Sequence, residues 1–100
     1  MTAYVVLIKE QTRDAEALAV YAGKATAARA GHALTPLALY GRYEQLEGEA
    51  AEGAVIISFP TMVEARAWYD SPAYQEALAH RQAGGDYRVF LIEGVDAAAA

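Results

Sequence analysis

Apolar residues follow two rhythms along this chain: continuous β-branched and aliphatic runs, and stretches in which they recur every three or four positions. Ala3 to Lys9 is a run of the first kind and predicts a strand, closed by the polar segment Glu10 to Asp14. Asp14 suits a helix N-cap, with Glu16 in the first turn, Arg29 near the end and Gly31 available as a left-handed C-terminal residue. Leu18, Tyr21, Ala22, Ala25 and Ala28 give that helix one apolar stripe. Leu34 to Leu46 reads as a second strand, but Pro36 and Gly41 interrupt it and predict an edge position or a bulge. After the acidic, glycine-bounded connection Glu47 to Gly53, the run Ala54 to Phe59 predicts a third strand in a hairpin with the second.

Phe59 to Tyr74 is the most informative stretch. Thr61-Met62-Val63-Glu64 has capping-box spacing, in which Thr61 accepts from the Glu64 N–H and the Glu64 carboxylate reaches back. A helix therefore starts directly behind the strand. Asp70-Ser71-Pro72 stops it, because Pro72 disfavours helical geometry at Ser71, and a new helix can start with Ser71 as N-cap. The first half carries Ala65, Trp68 and Tyr69, and the second Tyr74, Ala77, Leu78 and Arg81 at helical spacing. Gly84-Gly85 ends the helix and Tyr87 to Glu93 predicts the fourth strand. A domain spanning 1–95 is expected, with a frayed alanine-rich tail at 96–100.

The order βαββαβ predicts an α+β, ferredoxin-like fold: a four-stranded antiparallel sheet with helices on one face. Both faces of that sheet are apolar. Tyr4, Val6 and Ile8 oppose Val5 and Leu7; Val55, Ile57 and Phe59 oppose Ala54 and Ile56; Val89 and Leu91 oppose Phe90 and Ile92. Helices cover one face only, so the other predicts a homodimer formed by sheet-on-sheet packing.

Composition narrows the function classes. No apolar run approaches the roughly 20 residues of a membrane span, and the opening Met1 to Ile8 reads as a strand rather than a signal peptide, so a cytoplasmic location is the default expectation. Zero cysteines remove thiolate nucleophiles, disulfides and cysteine-based metal sites. A net charge of −5 with scattered Lys and Arg disfavours a nucleic-acid partner. No glycine-rich phosphate loop or nucleophile elbow is present, so neither a nucleotide cofactor nor an activated serine is expected.

The strand exit Ile57-Ser58-Phe59-Pro60, the run Ala67-Trp68-Tyr69-Asp70-Ser71-Pro72-Ala73-Tyr74, the later Arg81 and the closing Ile92-Glu93-Gly94 form a recognisable pattern. Over nearly its whole length the chain resembles the small bacterial family labelled domain of unknown function 1330. The resemblance implies the dimeric α/β-barrel superfamily, in which two ferredoxin-like protomers pack their sheets together. It implies no particular reaction, since related families include antibiotic-biosynthesis-type monooxygenases, ethyl-tert-butyl-ether-degradation-type proteins, muconolactone isomerases and haem-degrading enzymes. Tyr40-Gly41-Arg42-Tyr43 stands where the family carries an Arg-Gly-Gly-like turn.

Candidate chemistry centres on the broken helix. Tyr74 and Arg81 lie seven residues apart on one helix face, and with Trp68, Tyr69 and Arg42 they can line a cleft for an anionic or carbonyl-bearing ligand. The structural alternative makes Trp68 and Tyr69 core anchors and gives Arg81 a helix-end carbonyl or a carboxylate. Catalytic candidates are His32, Tyr74 and Arg81, although His32, like His80, suits a structural or solvated role. No histidine spacing suits a metal, and the Glu47, Glu49 and Glu52 cluster reads as solvated, so no bound metal or cofactor is expected. Two functions follow: a small-molecule binder or enzyme for an oxygen-rich aromatic or carboxylate ligand, working by proton transfer or cofactor-independent oxygenation, or a non-catalytic dimeric stress or regulatory interaction module. An open cleft beside Arg81 favours the first and a packed one the second. Which of Tyr40 and Arg42 faces inward is left open by the sequence.

Overall fold

The computed structural model describes residues 1–95, so the expectation of a frayed tail at 96–100 lies outside the described residues. The chain runs β1 (Ala3–Thr12), α1 (Ala15–Ala27), β2 (Thr35–Leu39), β3 (Gly53–Phe59), α2 (Met62–Asp70), α3 (Pro72–Gly84) and β4 (Gly85–Glu93). The strands form one antiparallel sheet in the order β2-β3-β1-β4, the ferredoxin-like arrangement, with its second helix split in two. No helix among the described residues is long and apolar enough to cross a membrane.

Local chemistry sets the helix ends. The Asp14 carboxylate accepts from the Glu16 and Ala17 N–H groups and starts α1. Thr61 Oγ1 accepts from the Glu64 N–H at 3.1 Å and starts α2. Ser71 serves both sides of the break: its hydroxyl donates to the Trp68 carbonyl at 2.7 Å and accepts from the Tyr74 N–H at 3.2 Å. Pro72 opens α3, where its missing N–H costs nothing. Gly31 does adopt a left-handed φ of 82°, although α1 itself is capped earlier, at Ala28.

One expected element is shorter than its sequence suggests. β2 ends at Leu39 rather than running to Leu46, and residues 40–52 form the connection to β3. The break falls at Tyr40, which takes a φ of 53° and leaves the strand path. β2 does occupy a sheet edge, with a register shift between Pro36 and Ala38. Glu52 fastens the far end of the connection to β1, its carboxylate accepting from the Thr12 N–H at 2.7 Å and the Thr12 hydroxyl at 2.6 Å.

The core lies between sheet and helices, where Val5, Leu7, Val55, Ile57 and Phe59 meet Ala65, Trp68, Tyr74 and Leu78. On the opposite face, Val6 stands between Ile56 and Phe90 in register, with Tyr4 between Ser58 and Ile92. Phe90 and Ile92 are 47% and 54% exposed there, so the helix-free face is as apolar as its sequence.

The placement of α1 creates the site. α1 packs chiefly against α3 rather than against the strands, and nothing within its bounds is fully buried. Gly84 permits this close approach: a Cβ there would lie 2.7 Å from the Leu18 side chain and 3.0 Å from the Asp14 carbonyl. The Gly84 carbonyl accepts from the Arg13 and Asp14 N–H groups at 2.8 and 2.9 Å, while the Arg13 guanidinium donates to the Gln82 carbonyl at 2.6 Å. With α1 anchored to α3 and presenting Ala22 and Ala25 toward the sheet, a gap remains beneath it.

Candidate functional site

That gap is a cleft of about 250 Å³. Its sheet wall is Leu7, Leu39, Val55 and Ile57, its helix wall is Ala22 and Ala25, and Trp68 lies against it. Polar groups enter at few points: Arg29 and Thr26 from the end of α1, and the phenols of Tyr21 and Tyr40. The Thr26 hydroxyl is already committed to the Ala22 carbonyl at 2.9 Å. An apolar hollow with a few convergent polar groups has the composition of a small-ligand site.

Behind those phenols lies the main electrostatic feature. Arg81 is only 5% exposed, on the same face of α3 as the fully buried Tyr74. Seven residues are two helical turns, and this spacing carries the guanidinium into the core. Arg81 makes no ion pair with a carboxylate among the described residues, and its Nε is buried without a hydrogen-bond partner. Its guanidinium carbon sits 5.0 Å from the centre of the Tyr87 ring. Such a cation–π contact offsets about 0.5–2 kcal/mol, against a burial cost of several kcal/mol for an unpaired ion. The charge persists regardless, because a guanidinium does not deprotonate in proteins.

Two tyrosine pairs connect this cation to the cleft. Tyr74 meets Tyr21 hydroxyl to hydroxyl at 2.9 Å, and Tyr87 meets Tyr40 at 2.7 Å. Burial raises the Tyr21 pKa far above the ordinary phenol value, with the adjacent Tyr74 adding to the shift and the positive Arg81 partly opposing it. Tyr74 is raised by the same burial, partly offset by Tyr21 and by Arg81. Burial and the bond to Tyr87 raise Tyr40 as well. All three phenols are therefore neutral at physiological pH. Trp68 completes the cluster, its ring 4.1 Å from Tyr74 and 5.3 Å from Phe59, and its indole N–H is buried without an acceptor.

The sequence-derived candidates divide clearly. Trp68 lies against the cleft, while Tyr74 and Arg81 stand one side chain behind it, joined to its wall through Tyr21 and through Tyr87 and Tyr40. Tyr69 lies elsewhere: its ring is 5.5 Å from Tyr74, but it lines a smaller hollow against Val5, Arg66 and Val89. Arg42 does not join the cluster; its side chain is 88% exposed and pairs with Glu44 at 3.5 Å. His32 is half-buried in the turn after α1, where its N–H donates to the Arg29 carbonyl, and does not line the cleft. Of Tyr40 and Arg42 it is Tyr40 that turns inward. Tyr21, Arg29, Tyr40 and Tyr87 were not singled out as site residues by the sequence. Tyr21 was visible as part of the α1 stripe, but the other three carry no periodic signal that marks a cleft. Among the described residues no group of His, Asp and Glu is arranged to hold a metal ion.

Comparison with known proteins places the chain in a family. A Rhodopseudomonas palustris protein of unknown function is similar at 21% identity, with 95% of this chain and 83% of that chain covered and a TM-score of 0.76. A dimeric ferredoxin-like protein of unknown function from Thermobifida fusca is similar at 15% identity, covering 92% and 90%, with a TM-score of 0.63. SnoaB, a cofactor-independent oxygenase from Streptomyces nogalater, shares the fold at 14% identity, covering 95% and 93%, with a TM-score of 0.57. No curated protein matches the chain. The family described as Domain of unknown function (DUF1330) matches residues 2–95, and the chain belongs to that family.

Proposed function

We propose that the cleft beneath α1 binds a small oxygen-bearing aromatic or carboxylate ligand, and that the protein works as a homodimer closed through its helix-free sheet faces. The observation that carries the ligand reading is Arg81, a buried guanidinium with no carboxylate partner among the described residues, placed behind the wall of an apolar cleft. An anionic oxygen on the ligand supplies the missing countercharge, and in a dry site that interaction is worth far more than in water. The aliphatic walls and Trp68 accept the ligand's apolar body, and Arg29 attracts its charge toward the entrance.

The chemistry this arrangement supports is stabilisation of negative charge forming on a bound oxygen, as in enolisation or in cofactor-independent oxygenation of an electron-rich ring. The likeness to the Streptomyces nogalater oxygenase supports the fold and leaves the reaction to experiment. The open volume beneath α1 favours ligand binding over a module whose surface alone matters. For the dimer, the support is the exposed Phe90 and Ile92 on a continuous apolar face, together with the dimeric state of similar proteins.

Native mass spectrometry with a panel of single-ring aromatic acids tests both parts. The expected species is a dimer carrying up to one acid per subunit. A bare dimer across the whole panel removes the ligand reading, and a monomer removes the dimer.

A further inference from the structure

Arg81 does not itself line the cleft: Tyr40 does, and its hydroxyl holds Tyr87, whose ring carries the guanidinium. On the other flank Tyr21 and Tyr74 stand between the cleft and the same cation. A ligand oxygen reaches Arg81 only if one of these pairs parts. The two pairs are not equally free to do so. Tyr74 is fully buried in the helical core and Tyr21 sits within α1, whereas Tyr40 is 44% exposed at the start of the connection to β3. Tyr40 is also the one non-glycine residue with a positive φ among the described residues, at 53°. That conformation stores backbone strain of order 1–3 kcal/mol, held in place by the Tyr40 N–H donating to the Ala54 carbonyl at 3.0 Å. Its ring folds over Gly53, where an added Cβ would come within 3.0 Å of the Tyr40 Cδ1, so the closed position depends on a glycine beneath it. Lys9 holds the ring from another side, its ammonium 4.9 Å from the ring centre.

Resting on the ligand reading above, we infer that Tyr40 is the specificity-determining residue of the cleft: it screens Arg81 at rest and yields to ligands whose anionic oxygen can take over its place beside Tyr87 and Arg81. Planar single-ring carboxylates and phenolates meet that condition. Their neutral isosteres do not, because they displace the Tyr40 hydroxyl from Tyr87 without bringing the countercharge that Arg81 lacks. The volume agrees with this class. An apolar cavity of about 150 Å³ takes up benzene, and one of about 250 Å³ has room for one substituted ring.

Isothermal titration of the full chain with benzoate and with benzamide, in the wild type and in Tyr40→Phe, decides the matter. Phenylalanine keeps the ring over Gly53 and removes only the hydroxyl that competes with the ligand. The wild type is expected to bind benzoate at least about tenfold more tightly than benzamide, and Tyr40→Phe to bind benzoate about three- to tenfold more tightly still, the weight of one hydrogen bond. Tyr87→Phe breaks the same pair but also removes the hydroxyl that the ligand oxygen would meet, and is expected to show none of that gain. Equal benzoate affinity in wild type and Tyr40→Phe, or weaker binding in Tyr40→Phe, overturns the screening role while leaving an anion site in place. Binding of neither compound by any of the proteins overturns the ligand reading and the screen with it.

Discussion

The hydroxyls of Tyr21 and Tyr74 lie 2.9 Å apart, joining α1 to α3 along the inner wall of the cleft. Tyr74 is fully buried, so its phenol has no recourse to water if Tyr21 is lost. Tyr74→Phe is expected to cost about 1 kcal/mol, the net worth of a buried hydrogen bond. That corresponds to a fall in Tm of about 4–8 °C for a domain of this size. Removing the ring with Tyr74→Ala should cost about 3–5 kcal/mol. Thermal unfolding followed by circular dichroism checks both, and an unchanged Tm in the phenylalanine variant would show that the pair contributes nothing.

Burial gives the fold a specific sensitivity to alkali. Tyr21, Tyr40 and Tyr74 have pKa values raised in the folded protein, so the folded chain holds protons that the unfolded chain releases near pH 10. Stability from these groups is complete below about pH 10 and is lost as the pH climbs beyond it. Urea midpoints measured from pH 8 to pH 11 should fall steeply at the upper end, with phenolate absorbance lagging behind that of seven free tyrosines. A flat midpoint over that range contradicts the buried assignment.

Gly84 holds α1 in the position that leaves the cleft open. Gly84→Ala places a methyl group against Leu18 and the Asp14 carbonyl. Overpacking of about 1–3 kcal/mol is expected to outweigh the roughly 1 kcal/mol gained by removing a helical glycine. The cost should shrink in a Leu18→Ala background, where half of the clash is gone. Equal costs in the two backgrounds, read from denaturant unfolding, would separate Gly84 from Leu18.

How far the sequence disclosed this arrangement depends on the range of the interactions involved. Asp14, Thr61 and Ser71 act on N–H groups two or three residues away, and all three caps were legible. The apolar character of both sheet faces follows from which side chains alternate along each strand, which is equally local. The end of β2 is not legible locally, because Leu39-Tyr40-Gly41-Arg42-Tyr43 looks like interrupted strand, whereas Tyr40 departs to reach Tyr87, 47 positions away. The cleft itself was hidden for the same reason. Ala22 and Ala25 belong to an apolar stripe, and only the contact of α1 with α3 through Gly84 shows that they face a gap rather than a packed sheet. Arg42 and Arg81 are both ligand-binding candidates in the sequence, yet one pairs with Glu44 in solvent and the other is enclosed.

The helix-free sheet face yields a prediction of its own. Phe90 is half-exposed beside Val6, on the edge strand β4 of the apolar surface. Phe90→Glu places a charge there without disturbing the core and is expected to convert a dimer into a monomer with an unchanged far-ultraviolet spectrum. Sedimentation equilibrium reads the outcome, and a variant that remains dimeric would move the interface to another surface.

Trp68 is the only tryptophan in the chain and lies against the cleft, so its fluorescence reports directly on what enters. Titration with benzoate is the most direct test of the central claim, that an anion-bearing ring binds beneath α1 under the charge of Arg81. The account predicts a saturable change in Trp68 emission that Arg81→Met abolishes and that benzamide reproduces only at far higher concentration. Emission unaffected by benzoate, or a response that survives Arg81→Met unchanged, would contradict it.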